Sequence, residues 1–122
     1  MTEANVELAR RGYEAIMRGD FEAIRKLLDP DVKWHGGNPN DQYACHNREQ
    51  ALAFMQRAER RGPIGEPVEM IDAGDKVVVI MRRIGEDGKP ERVANLTTFR
   101  DGKVVEMVHF PNPDDALAAA GV

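Results

Sequence analysis

The chain has a single cysteine, Cys45, so no intrachain disulfide exists to hold the fold. It has no block or stripe of Lys and Arg, and its net charge is -4, which argues against nucleic acid as the main partner. It lacks a long hydrophobic run: the longest, Val77-Val78-Val79-Ile80-Met81, is far too short to span a bilayer, so no membrane partner is expected. The opening residues, Met1-Thr2-Glu3-Ala4-Asn5, are acidic and polar and show no signal-peptide pattern. A cytoplasmic, bacterial-type protein is the economical reading. Repeats, linkers and low-complexity stretches are also missing. What remains is a chain of 122 residues, 31% of them charged, a normal size for one well-solvated domain over 1–122 with its own core.

The patterning is helical first and extended afterwards. Val6, Ala9, Tyr13, Ile16 and Met17 fall at helical spacing, with Thr2 as N-cap and Gly19 as stop. Asp20 caps a second short helix carrying Phe21, Ile24, Leu27 and Leu28, which ends before Pro30. Asp31 to His35 form a short strand in which Val32 and Trp34 share a face. Residues 36–46 are rich in Gly, Asn, Asp and Pro and read as a loop. Asn47 with Gln50 resembles a capping box, opening a third helix with Ala51, Leu52, Phe54, Met55 and Ala58 as its apolar positions. Four strands follow, over 67–73, 76–84, 92–100 and 103–110, with glycine in each turn. Pro111-Asn112-Pro113 ends the last strand and 114–120 form a terminal helix. Helices followed by an antiparallel meander define an α+β domain.

The most informative stretch is Asn95 to Phe110, two strands joined by an Asp101-Gly102 turn. A three-residue bulged turn would place Asn95, Thr97, Met107 and His109 on one face, whereas a two-residue turn would separate Asn95 from His109. A titratable group among apolar neighbours is the default site hypothesis.

Three segments together, Gly12-Tyr13-Glu14-Ala15-Ile16-Met17-Arg18-Gly19-Asp20-Phe21-Glu22-Ala23, Leu28-Asp29-Pro30-Asp31-Val32-Lys33-Trp34-His35 and Phe99-Arg100-Asp101-Gly102-Lys103-Val104-Val105-Glu106, resemble the SnoaL-like branch of the nuclear transport factor 2-like (NTF2-like) superfamily. The resemblance implies a cone-shaped α+β barrel, with N-terminal helices packed against a strongly curved, mostly antiparallel sheet, and a homodimer formed through that sheet. It does not settle function, since the superfamily includes isomerases, polyketide cyclases, hydrolases, dehydratases and non-catalytic binders. Against the ketosteroid isomerases, the general-base aspartate matches Gly36, the helical tyrosine falls on Gly12 with Tyr13 beside it, and the protonated aspartate falls on Asn95. The missing base argues against steroid isomerisation. Against the polyketide cyclases, the histidine and aspartate of the last hairpin match Asn95 and His109. The Asp-Arg-Asp set of the epoxide hydrolases has no counterpart.

His109 and Asn95 are therefore the candidate catalytic pair. The histidine titrates near neutrality, and the amide either orients it or holds a developing enolate oxygen. Tyr13, Trp34, Tyr43, Phe54, Met55, Thr97, Phe99 and Met107 are the candidate substrate-binding residues, with Tyr43 in the loop that covers the cavity entrance in many relatives. His35 is expected to point away from the site or toward its mouth, and His46 to be a solvated loop residue. Cys45 reads as a buried filler. One of Arg82 and Arg83 faces inward by alternation. The three histidines match no helix-based ligand pair, so no metal is expected, and no phosphate loop or other cofactor signature is present. The reading is cofactor-independent acid/base chemistry, of isomerase, cyclase or lyase type, on a small hydrophobic carbonyl compound. The alternatives are a binding protein for a hydrophobic ligand and a structural dimerisation module.

Overall fold

The computed structural model describes residues 2–38, 40–42, 44–60, 66–85 and 87–122. The elements are α1 (Thr2–Arg18), α2 (Phe21–Leu27), β1 (Leu28–His35), α3 (Arg48–Arg60), β2 (Glu66–Ala73), β3 (Lys76–Ile84), β4 (Pro90–Arg100), β5 (Lys103–Phe110) and α4 (Pro113–Ala120). The five strands form one sheet in the order β1-β5-β4-β3-β2. β1 runs parallel to β5 and every other pair is antiparallel. The α+β architecture expected from the sequence, helices first and a mostly antiparallel sheet after them, is the one found, with the sheet left open rather than closed.

Local chemistry explains the helix boundaries. α1 includes Thr2 itself instead of being capped by it. It stops at Gly19, whose φ of 70° lets the chain turn, and Asp20 N–H donates back to the Ala15 carbonyl at 2.9 Å. The Asp20 side chain then accepts from Ala23 N–H and starts α2. This tight joint folds α2 back on α1. At their crossing a Cβ on Gly12 would lie 2.9 Å from Leu27 Cδ2, so Gly12 serves helix packing. At the start of α3, Gln50 N–H donates to Asn47 Oδ1 and Gln50 Oε1 accepts from His46 N–H. The capping box is thus reciprocal, but it closes one residue earlier than the usual form.

Both faces of the central strands are buried. Val77, Val79, Met81, Val93, Phe99, Val104 and Met107 meet the N-terminal helices through Ala9, Ala15, Ile24, Leu52 and Met55. Val78, Ile80, Ala94 and Leu96 face the other way and are covered by α4 through Ala116 and Leu117. The uninterrupted Val77–Met81 run is the signature of a strand buried on two sides. Met17 does not belong to the core: it is 61% exposed, because the stripe of α1 that faces inward passes through Ala9, Tyr13 and Ile16.

The β4–β5 hairpin reaches the expected facing by a different route. Its turn is a two-residue Asp101-Gly102 turn, with φ of 53° and 78°, and Arg100 pairs directly with Lys103. A regular ladder from that turn would set Asn95 opposite Val108. Instead the register shifts beyond Phe99–Val104, so that Thr98 pairs with Glu106 and Asn95 with His109. Val105 is the extra residue, a β-bulge that turns Met107 and His109 inward. Deleting Val105 should therefore leave every downstream partner unchanged and give a regular, folded hairpin. NMR contacts between the Asn95 and His109 backbones would check this, and their replacement by Asn95–Phe110 contacts, the sign of a bulge that persists, would refute it.

Candidate functional site

α1 lies across the concave face of the sheet and brings Tyr13 over β4. The Asn95 Nδ2–H donates to Tyr13 Oη at 2.9 Å, and His109 Nδ1 lies 3.2 Å from Asn95 Oδ1. A carboxamide oxygen only accepts, so this contact assigns the ring proton to Nδ1 and leaves a lone pair on His109 Nε2. The three side chains form one chain of hydrogen bonds: histidine to amide, amide to phenol. The Tyr13 hydroxyl proton has no acceptor among the described residues and is free to donate.

Burial sets the electrostatics. It pushes the Tyr13 pKa up to about 12, against a smaller lowering by the Asn95 hydrogen bond, so the phenol stays protonated at neutral pH. Burial also lowers the His109 pKa, helped by the nearby positive charge of Arg83 and opposed by Glu91. The imidazole is thus held neutral, as a proton acceptor must be. Arg83 and Glu91 are cross-strand partners joined at 2.7 Å, and alternation sets them on the same face as Met81 and Val93. Of the two candidate arginines, Arg83 is on the concave side, while Arg82 binds Glu66 at 3.0 Å.

The remaining candidates lie in rows on the same face. Val77, Thr97, Met107 and Trp34 are successive register partners across β3, β4, β5 and β1. Trp34 meets Phe54 of α3 edge to face, with ring centroids 4.7 Å apart. Met55 and Phe99 belong to the same apolar cluster. Tyr43 lies outside the described residues. His35 is on the opposite face: its Nδ1 accepts from Gly37 N–H, and its Nε2 lies 3.1 Å from Glu106 Oε2. His46 is exposed, and its carbonyl accepts from Lys33 Nζ. Cys45 is buried beside Trp34 through two backbone hydrogen bonds, and burial raises its thiol pKa, away from the reactive thiolate. Among the described residues, no three His, Cys, Asp or Glu side chains converge as a metal site would need. An open groove of about 430 Å3 between α1 and α2 is lined by Arg11, Glu14, Lys26 and others, with none of Tyr13, Asn95 or His109 among them.

Sequence reasoning missed two parts of this arrangement. The direct Tyr13–Asn95 bond joins residues 82 positions apart, and helical spacing alone does not say which strand a side chain meets. The influence of Arg83 on His109 was readable in part, since residues 79, 81 and 83 share a face and an oppositely charged Glu91 sits across from Arg83.

An open five-stranded sheet with helices over its concave side and a buried polar group on its last hairpin defines an NTF2-like fold. The SnoaL-like domain model matches residues 9–107, and the chain belongs to that family. Among solved structures it is similar to a polyketide cyclase-like protein from Sinorhizobium meliloti, at 19% identity and a TM-score of 0.72 over 84% of this chain and 93% of that one. It is also similar to Bal32a from a soil-derived mobile gene cassette, at 25% identity and a TM-score of 0.74 over 88% of each chain. A third, TerC co-crystallised with polyporic acid, shares 22% identity and a TM-score of 0.72 over 98% of this chain and 99% of that one. Among curated proteins, none matches the sequence. No helix among the described residues is long and apolar enough to cross a membrane.

The lowered His109 pKa has a definite sign in stability. Between 6.5, the ordinary value that the ring regains on unfolding, and its lower folded value, the unfolded chain holds more protons than the folded one. The contribution is full above pH 6.5 and is lost as pH falls toward the folded pKa. An NMR titration of the ring should show a midpoint below 6.5 that moves upward in Arg83→Gln. An unchanged midpoint in that variant would remove Arg83 from the account.

Proposed function

We propose that this SnoaL-like domain carries out cofactor-independent acid/base chemistry, of isomerase or cyclase type, on a small hydrophobic carbonyl compound held over the concave face of the sheet. The observation that carries the reading is the Tyr13–Asn95–His109 chain of hydrogen bonds. His109 Nε2 takes a proton from the carbon next to the carbonyl. The electrons move into the carbonyl oxygen, and the Tyr13 O–H donates to the enolate that forms. Asn95 does not touch that oxygen in this scheme. Its amide fixes the tautomer of His109 on one side and polarises the Tyr13 hydroxyl on the other. In a β,γ-unsaturated carbonyl compound the imidazolium then returns its proton to the γ carbon of the dienolate, giving isomerisation. In a compound with a second carbonyl the enolate carbon attacks it, and the imidazolium protonates the alkoxide that forms, giving ring closure. Trp34, Phe54, Met55, Phe99 and Met107 supply the apolar wall, and Thr97 lies on the same face. The likeness to a polyketide cyclase-like protein and to TerC with its polyporic acid supports a small organic molecule as the ligand.

A test uses 2-tetralone in deuterated water, following exchange at the carbons beside the carbonyl by NMR. The wild-type protein should accelerate exchange. His109→Ala should lower the rate about 100-fold or more, and Tyr13→Phe by a comparable factor, each with affinity for 2-tetralone kept within about tenfold. Equal exchange with and without His109 would end the catalytic reading, and a parallel loss of binding and exchange would favour a non-catalytic binder.

The same reading includes a homodimer through the outer face of the sheet. α4 covers Val78, Ile80, Ala94 and Leu96 there, which leaves the end carrying His35, Thr98 and Glu106 for a partner copy. Sedimentation equilibrium should give twice the 13.6 kDa chain mass, and a mass of one chain would discard this part.

A further inference from the structure

Thr97 is only 3% exposed, and its Oγ1 has no hydrogen-bond partner among the described residues. Its cross-strand neighbours on the concave face are Val77 and Met107, which offer none. A buried hydroxyl without a partner is destabilising, and valine would fill the same space on a strand with no such penalty. Lys76, the nearest long donor on β3, is already engaged with Thr98 Oγ1 at 3.1 Å on the outer face. The unmatched group on this face therefore points to something that arrives from outside the chain.

Its position says what that is. Thr97 is two residues from Asn95 on the same strand and face, so its hydroxyl lies roughly 6.7 Å along the strand from the Tyr13–Asn95–His109 group. We infer that Thr97 binds a second oxygen of the ligand, and that the site selects six-membered-ring compounds with oxygens at opposite, 1,4-related positions over compounds with one oxygen. This rests on the function proposed above and narrows it: one oxygen goes to Tyr13, the ring lies against Met107 and Trp34, and the far oxygen goes to Thr97. The hydroxyl donates to a carbonyl or accepts from a phenol, so both oxidation levels of such a ring fit.

The test compares 1,4-dihydroxynaphthalene, kept reduced with ascorbate, with 1-naphthol by calorimetry. The wild-type protein should bind the diol about tenfold more tightly. In Thr97→Val that preference should fall to near one, while the melting temperature rises by a few degrees because the unmatched hydroxyl is gone. Thr97→Ser, which keeps the hydroxyl, should keep the preference, and it serves as the check if the valine variant folds poorly. A preference that survives in Thr97→Val, or is missing in the wild type, overturns the second-oxygen site and leaves the proton-transfer reading standing; the hydroxyl then serves an internal water. Absence of binding for both compounds overturns the proposed ligand site over the sheet and this inference with it.

Discussion

The β4–β5 register is the constraint on which the rest depends. Side chains on a strand alternate, so a shift of one residue exchanges the two faces of everything beyond it. Had β5 continued in register from the Asp101-Gly102 turn, Glu106 and Val108 would face the helices. Met107 would then leave the core, and His109 would join the outer surface. The bulge at Val105 absorbs the difference. It keeps a charged carboxylate on the outer face beside His35 and leaves an amide and an imidazole opposite one another on the inner one.

That placement gives the three polar groups different characters from a shared environment. Burial holds the imidazole neutral and the phenol protonated, so one is ready to accept a proton and the other to donate a hydrogen bond. Asn95 carries no charge and serves both. A carboxylate in its place would draw a proton onto His109 and leave it less able to act as a base. Position 36, which the resemblance matches to an aspartate of the ketosteroid isomerases, holds a glycine and adds no carboxylate there. Arg83, tied to Glu91 on the same face, sharpens this by disfavouring a second positive charge nearby.

Much of the architecture was legible in the sequence, and the reasons are specific. Strands β3 and β5 and the Gly19-Asp20 joint stand where glycine, the apolar run and cap chemistry put them. The inward facing of Asn95 and His109 was legible as an outcome, but the turn that was expected to produce it was not. Consecutive Val104 and Val105 interrupt the alternation, and that interruption was the available sign of a bulge. The exposure of Met17 and the Tyr13–Asn95 bond were not legible, because both depend on how α1 rotates against the sheet. That rotation is set by packing partners far away in the chain, including the Asn5 amide that donates to the Gly74 carbonyl at 3.1 Å.

The parallel pairing of β1 with β5 carries a consequence for how the chain reaches this state. β1 is completed at His35, yet its strand partner begins at Lys103. A nascent chain therefore holds an extended segment with Val32 and Trp34 and no ladder to join until nearly the whole sheet exists. Such non-local closure slows folding and lengthens the time in which an open edge can recruit another chain. The backbone bridge between Trp34 and Cys45, made from residues only eleven positions away, covers the other edge of β1 and leaves the edge that β5 joins waiting.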